Sequence, residues 1–228
     1  MDINIAKILT LIGGIGGAIT LFKDIYGIRT KISRLPWIRR IVWFLINKKI
    51  CVRISVTKVY SEQFEPKTHE IFEKIRSKII TAFGNFISQP IIGSNYFQFV
   101  AEGMSAPIIF RFHPDIDDND EIIGSVVQSE VLGNLVFVYR EAKKYERTLK
   151  LIEDIFHVIE EVHGLRKPNY VNYTIKATIS ETFEEDWSTK KEIKHDDSRI
   201  LVGSKIVMAN SRTLVPLLDL KKYLLMVG

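Results

Sequence analysis

Cysteine is almost absent from this sequence: Cys51 is the only one among 228 residues. A single thiol excludes an intrachain disulfide, so a disulfide scaffold is ruled out and a reducing compartment fits the composition. No base stands beside Cys51, and the residues after it alternate between apolar and polar side chains. We therefore interpret Cys51 as a small core residue at the start of a strand.

The short motifs that identify catalytic and cofactor sites are also missing. The sequence contains no Gly-x-Ser-x-Gly, Walker A, His-Glu-x-x-His or Cys-x-x-Cys. The N-terminal glycines do not form a dinucleotide fingerprint, because Ile19 stands where its third glycine is required. The sequence therefore predicts no cofactor, leaves the catalytic residues unknown and favours a protein that is not an enzyme.

An acidic stretch, Asp115–Glu121, contains the carboxylate oxygens that Ca²⁺ prefers. An EF-hand loop needs glycine at its sixth position and glutamate at its twelfth. Counted from Asp115, those positions hold Asp120 and Val126. The motif fails, and we interpret the stretch as a solvated acidic turn.

The long predicted helix near the middle of the chain contains two carboxylate–histidine pairs at three-residue spacing. They are Asp154 with His157 and Glu160 with His163. Di-iron sites use this spacing but draw their ligands from four helices, whereas both pairs here lie on one. We predict no metal site and interpret these residues as a solvated charged face.

The net charge of +5 is distributed unevenly along the chain. Residues 1–22 have one cation and one anion, residues 23–49 have eight cations and one anion, and residues 50–228 have 23 cations and 25 anions. The three parts therefore carry 0, +7 and −2. A DNA-binding domain usually has its own positive face, so this distribution argues against nucleic acid and favours anionic lipid headgroups as a partner.

Long apolar runs are confined to the N terminus. Residues 8–22 carry no charge and would form a helix of about 22 Å, whereas a bilayer core is about 30 Å thick. Counting from Ile3, with Lys7 extending to the interface, gives about 30 Å. A cleaved signal peptide is the alternative, but no Ala-x-Ala follows Phe22. We expect a single-pass or monotopic membrane protein, with its C-terminal domain cytoplasmic because the cations follow the apolar run.

Small residues form two ridges on this apolar segment. Gly13 and Gly17 make a Gly-x-x-x-Gly pair, and Gly14 and Ala18 have the same four-residue spacing. In lipid, such residues let two helix backbones approach closely. The alternative is a helix that is merely rich in glycine. We predict helix–helix association through these four residues.

A second, basic helix is predicted after Ser33, which is a suitable N-cap, with Pro36 in its first turn. Tryptophans and paired cations on a short amphipathic helix are typical of a helix that lies among lipid headgroups. The predicted lipid-contacting residues are Trp37, Arg39, Arg40, Trp43, Lys48 and Lys49. The alternative is that this helix packs on the following domain.

Residues 50–228 are predicted to form a soluble α+β domain, and residues 1–49 the two membrane-associated helices. The periodicity predicts helices over Pro66–Phe83, Glu141–His163 and Thr213–Val227. It predicts strands near 49–57, 96–102, 107–113, 122–131, 134–139, 169–179 and 199–209, with a polar connection over 182–198. The expected architecture has two layers, with both long helices on one face of an antiparallel sheet. A duplicated β-α-β-β unit is predicted over 51–113 and 135–209.

The expected function is a membrane-tethered cytosolic module that binds a protein partner or forms homo-oligomers. A membrane-anchored enzyme or ligand sensor with a cleft is the first alternative. A membrane-active effector or virion component that uses the glycine-rich segment is the second. A deep pocket with convergent polar groups would favour the enzyme or sensor, and an exposed apolar patch or strand edge would favour the interaction module. Reversible burial of residues 3–22 against the domain would favour the membrane-active protein.

Overall fold

The computed structural model describes residues 36–45, 48–141, 143–179, 191–203, 205–214 and 220–226. The chain divides into two compact units, Met1–Ile46 and Asn47–Gly228. Helix α1, Pro36–Leu45, is the element described in the first unit. The other described elements belong to the second unit, which we call the sheet domain.

The described part of the sheet domain contains ten strands and three α-helices. In chain order they are β1 (Lys49–Tyr60), α2 (Thr68–Phe83), β2 (Ile91–Ile92), β3 (Tyr96–Phe99), β4 (Ile108–Ile116), β5 (Ile122–Val131), β6 (Leu135–Val138), α3 (Lys143–His163), β7 (Tyr170–Thr178), β8 (Lys191–His195), β9 (Ser198–Val202), β10 (Ile206–Ser211) and α4 (Leu220–Leu224). The predicted α+β class is confirmed.

The strands form one sheet whose described pairs are all antiparallel. Their order is β2-β3-β4-β5-β1-β7-β10-β9-β8, and β6 pairs with β1. β1 pairs along both of its edges, with Ser55 opposite Glu130 of β5 and Thr174 of β7. β7 likewise pairs with β1 and β10, so both strands lie in the interior of the sheet.

A bulge separates β5 from β6 along the same edge of β1. Glu130 pairs with Ser55 and Leu135 pairs with Val52, so five steps along one chain match three along the other. Gly133 lies in this bulge with a φ of +108°, a conformation that glycine adopts without strain. Gly133 therefore allows the chain to bulge by two residues after β5 and then to pair with β1 again as β6.

Helices α2 and α3 pack side by side, and both contribute apolar side chains to the core beneath them. Phe110 of β4 lies 5.4 Å from Phe156 of α3, measured between ring centroids. The buried stripe of α2 is Thr68, Ile71, Phe72, Ile75 and Ile79. The helix ends at Gly84, whose φ is +94° and whose N–H donates to the Ile80 carbonyl at 2.8 Å. The predicted stop of this helix is confirmed.

The C-terminal strands differ from their prediction. Strand β8 lies within the predicted polar connection over 182–198, and the strand predicted over 199–209 is a hairpin of β9 and β10. The Gly203 N–H donates to the Ile206 carbonyl at 2.8 Å and closes that hairpin. β8 has one aliphatic residue, Ile193, because an edge strand has less to bury, so it lacks the alternation that identifies a strand.

The two predicted β-α-β-β copies do not share one sheet order. In the first copy, the neighbour of β1 across the intervening β5 is β4, the last strand of that copy. In the second copy, the neighbour of β6 across the intervening β1 is β7, the strand that follows the helix. The strand that follows α3 pairs with β1 of the first copy, so the halves are joined through the β1–β7 ladder. The final predicted helix is described only over Leu220–Leu224, where Tyr223 and Leu224 are buried.

Helix α1 has ten residues. Among the described parts of the chain, no helix is long and apolar enough to cross a membrane. The apolar segment predicted over residues 3–22 lies outside the described residues.

Candidate functional site

The sheet has one apolar face and one polar face. Along β1, β5 and β7, buried residues alternate with half-exposed ones, and the buried set faces the core. The half-exposed set forms the opposite side, which we call the open face. Its central residues are Arg53, Ser55, Thr57, Gln128, Glu130, Asn172, Thr174, Lys176, Met208 and Asn210. This side of the sheet therefore presents amides, hydroxyls and charges.

Three of these side chains form a hydrogen-bonded row across β7 and β10. Asn172 Nδ2 donates to Thr174 Oγ1 at 3.3 Å, and Thr174 Oγ1 donates to Asn210 Oδ1 at 3.1 Å. The row fixes the orientation of both amides. The Asn210 amide nitrogen and the Asn172 amide oxygen then remain to bind a ligand, because each amide has donor and acceptor groups to spare.

Positive charge collects on one half of the open face. On the open face, β1 from Arg53 onward together with β7, β10, β9 and β8 has four cations and one carboxylate, a sum of +3, namely Arg53, Lys176, Lys194, Arg199 and Glu192. Glu192 Oε1 accepts a 2.6 Å hydrogen bond from Arg199 Nε, which with Lys194 lowers the pKa of this carboxyl. On the other half, Arg111 Nη1 is paired with Glu130 Oε2 at 2.9 Å.

A hollow of about 320 Å³ opens at the β7–β10–β9–β8 end of this face. It is lined by Tyr170, Asn172, Lys194, Asp196, Asp197, Ser198, Arg199, Asn210, Ser211 and Arg212. The Tyr170 side chain is 46% exposed, and the Asp197 carbonyl accepts a hydrogen bond from the Arg212 N–H at 2.8 Å. One concave surface thus combines an aromatic ring, two amides, three cations and two carboxylates.

A second polar cluster lies on the buried side of the sheet. Lys58 of β1 is 4% exposed, and its Nζ lies 3.2 Å from Glu153 Oε2 and 3.4 Å from Glu160 Oε1. Tyr60 donates to Glu160 at 2.9 Å and Tyr173 donates to Glu153 at 2.5 Å. The Lys58 ammonium also lies 4.6 Å from the centroid of the Phe156 ring. We call these five charged and phenolic residues the lysine cluster.

The lysine cluster joins α3 to the sheet. Burial, followed by the charge of Glu160, raises the pKa of Tyr60. Burial, followed by the hydrogen bond to Glu153, raises the pKa of Tyr173. Both phenols therefore stay protonated and act as donors. Because donors of the protein already occupy both carboxylates, the cluster is better suited to fixing α3 than to activating a substrate.

A cleft of about 480 Å³ lies where the chain between β1 and α2 crosses the end of β4 and β5. Its lining includes Phe64, Phe112 and Ile122 with the polar residues His113 and Ser125. Behind it, the His163 ring stacks on Phe64 with centroids 4.3 Å apart. Burial, and then the charge of Lys67, lowers the pKa of His163, while Glu70 opposes this shift.

The residues predicted to contact lipid lie in α1 and at the start of β1. Trp37 and Arg39 lie in α1, where Arg40 is exposed and Trp43 is 7% exposed. Lys49 is the first residue of β1, and the Lys48 carbonyl accepts a 2.8 Å hydrogen bond from the Tyr139 N–H. Their contact with lipid stays a prediction.

The four residues predicted to associate helices, Gly13, Gly14, Gly17 and Ala18, lie outside the described residues.

Cys51 is buried, which confirms its interpretation as a core residue. The acidic stretch forms the turn between β4 and β5, where Asp117 Oδ1 accepts hydrogen bonds from the N–H groups of Asn119 and Glu121, each at 2.9 Å.

The interpretation of the α3 carboxylates as a fully solvated face was wrong for Glu160. Glu153 lies three residues before the buried Phe156 and Glu160 lies four residues after it. Residues at these spacings share one face of a helix, so both carboxylates lie on the buried face of α3. Lys58 lies two residues after Val56, so strand alternation places its side chain on the buried side of β1. Both signals were present in the sequence. The alternation of β1 and β7 also indicated the polar residues of the open face, but the hollow had no such signal, because its residues come from four strands and the turns beside them.

No protein-family model matches the chain, and no curated protein is similar to it.

Proposed function

We propose that this chain is a membrane-tethered module that recognises a partner with the open face of its sheet. The observation that carries the proposal is the apolar surface of α1. Ile41, Val42, Phe44 and Leu45 are 43–70% exposed and follow directly on the exposed Arg40. Exposed apolar side chains beside cations are typical of a helix that binds an anionic membrane surface.

The sheet supports the recognition part of the proposal. Amides, hydroxyls and charges that are half-exposed across several strands offer a partner many polar contacts on one rigid surface. The edges are less suited to binding, because β2 has two residues and β8 carries charged residues such as Lys191 and Lys194. Short and charged edges resist strand addition. A partner is therefore expected to contact the face and not an edge.

Vesicle sedimentation tests the tether. The full-length chain should sediment with phosphatidylcholine vesicles that contain phosphatidylserine and sediment less with phosphatidylcholine alone. A chain lacking residues 1–49 should stay in the supernatant with a folded circular dichroism spectrum. Replacing Ile41, Phe44 and Leu45 with serine should weaken sedimentation of the full-length chain.

The matched control replaces exposed apolar residues of the sheet domain, Ile80, Ile87 and Ile91, with serine. This variant should sediment like the unmodified chain. A full-length chain that stays in solution with both vesicle types would contradict the tether, as would a truncated chain that still sediments.

A ligand sensor is the second candidate, and the cleft at Phe64 and Phe112 favours it. Its volume lies within the range of small-molecule sites, and apolar lining with a few polar groups is their usual composition. Replacing Ile122 with glutamate would place a charge in this lining. A compound that raises the melting temperature of the unmodified chain but not of this variant would favour the sensor.

A further inference from the structure

We propose that the hollow on the open face binds one nucleotide of a single-stranded nucleic acid whose phosphates lie along the cationic half of the sheet. The inference rests on the proposed role of the open face in recognition and adds the chemistry of the partner. It is carried by the charges of five strands, the row of amides and the exposed Tyr170.

The net charge of the sheet domain conceals this surface. Residues 50–228 sum to −2, whereas the open face of β1 from Arg53 onward, β7, β10, β9 and β8, together with Asp196, Asp197 and Arg212 of the hollow, sums to +2, which leaves −4 for the rest. These five strands span four spacings of about 4.8 Å, or about 19 Å. Phosphates respond to the local field and not to the sum over the domain. The net charge of the domain therefore does not describe the charge that this face presents to a nucleic acid.

The chemistry of a face differs from that of an edge. Backbone N–H and C=O groups of β1, β7 and β10 are used in ladders on both sides, so only side chains are offered to a partner. A bound peptide usually gains affinity from backbone pairing at an edge. A nucleic acid carries its hydrogen-bonding groups on bases and phosphates, which suits side chains such as Asn172 and Asn210.

The hollow contains a suitable group for each part of a nucleotide. Tyr170 is 46% exposed and lines the hollow, where its ring can stack on a base. The fixed amides of Asn172 and Asn210 can pair with a base edge, and Arg212 can bind phosphate. Asp196 and Asp197 would repel a bare phosphate but can accept hydrogen bonds from sugar hydroxyls. This mixture of charges fits a nucleotide better than an inorganic anion.

Fluorescence anisotropy of the full-length chain in detergent, with a labelled twelve-nucleotide oligouridylate, tests the inference. Tyr170→Ala should raise the Kd about 10-fold or more, because stacking on the ring is lost. Tyr170→Phe should preserve binding. Lys176→Ala should weaken binding and reduce the slope of log K against log salt by about 0.7, the value for one phosphate contact with a single strand.

Matched controls separate the hollow from other surfaces. Tyr96→Ala removes an aromatic residue at the other end of the open face, and Lys150→Ala removes an exposed cation from α3. Both should leave the Kd unchanged. The basic segment over residues 23–49 will itself attract RNA, so the variants of the hollow decide the result.

Equal binding by the unmodified chain and by the Tyr170→Ala and Lys176→Ala variants would overturn the inference, because binding would then belong to the basic segment. Equal affinity for polyglutamate, with no effect of Tyr170→Ala, would overturn it in favour of an acidic protein. Absence of oligouridylate binding with intact vesicle sedimentation would overturn it and leave the tether standing. Loss of vesicle sedimentation in the unmodified chain would instead contradict the proposed function.

Discussion

Lys58 occupies a position on β1 where the strand pattern requires an apolar side chain, and two carboxylates make this possible. Its side chain is 5% exposed, while those of Glu153 and Glu160 are 16% and 19% exposed. Removing the ammonium would leave two partly buried carboxylates facing each other without a cation. Removing one partner of a buried ion pair is much more destabilising than removing one partner at the surface.

We therefore expect Lys58→Met to lower the free energy of unfolding by about 2–4 kcal/mol, as measured by urea denaturation. Lys74 provides a matched control, because its Nζ also lies near two carboxylates, Glu70 and Glu161, each at 3.8 Å, but its side chain is 43% exposed. Lys74→Met should change the same free energy by less than about 0.5 kcal/mol. Similar losses in the two variants would contradict a structural role for the lysine cluster.

His163 should make stability depend on pH. Its pKa in the folded chain is lowered, chiefly by burial, whereas in the unfolded chain it returns to its ordinary value of about 6.5. Between these two pKa values the unfolded state binds more protons, so the free energy of unfolding should fall as pH drops below about 6.5. His163→Phe retains a ring for stacking on Phe64 and should reduce this fall, as measured by urea denaturation at several pH values.

His69 is the control for this prediction, because it is an exposed histidine near the start of α2. His69→Phe should leave the pH dependence of the unfolding free energy as it is in the unmodified chain. If His69→Phe and His163→Phe change this dependence equally, burial of His163 is not its cause.

At the scale of elements, the sequence predicts best those that bury a regular stripe. α2, α3, β1 and β7 each have a periodic apolar face against the core, and their observed positions agree with the prediction to within a few residues. β8 was missed because this edge strand has only one aliphatic residue, and β2 was missed because its two residues are too few to show an alternation. The register of the strands could not be predicted either, because the pairing of β7 with both β1 and β10 depends on contacts between residues that are distant in sequence.

β8 should protect the sheet against association at its edge. It is the last strand of the order described, and Lys191 and Lys194 place charges along it. Replacing both lysines with valine would create a more apolar edge with high β-propensity, so we expect concentration-dependent association by light scattering. The control replaces Lys74 and Lys150 on the helices with valine. Association in the control to the same degree would mean that lost charge, and not the edge, is responsible.

At the scale of the whole molecule, composition divides the chain into a basic N-terminal part and a following part of opposite net charge. It fails to predict where charge lies on the folded surface. Lys176 and Arg199 are more than twenty residues apart in sequence but lie on one face, because the register places Lys176 opposite Met208, and Arg199 opposite Asn210 of the same strand. Only the strand order brings these cations together.

The N-terminal glycines should bring two copies of the chain together in a membrane. In water, glycine weakens a helix by about 1 kcal/mol relative to alanine, but in lipid it permits close helix packing. Replacing Gly13 and Gly17 together with isoleucine should block this approach while making the segment more apolar. We expect fewer crosslinked oligomers in vesicles and vesicle binding that is equal or stronger. A control with Ile12 and Ile15 replaced by leucine keeps the small-residue ridge and should crosslink like the unmodified chain.

The outcomes of this experiment separate three roles of the N-terminal segment. Oligomers that persist in the glycine variant would locate assembly in the sheet domain, where the open face is the surface to test next. Loss of vesicle binding would mean that residues 3–22 do more than anchor the chain, because an apolar anchor gains affinity from added methyl groups. Only reduced crosslinking with retained binding agrees with a tether whose small residues bring two copies together and thereby place two open faces on one membrane.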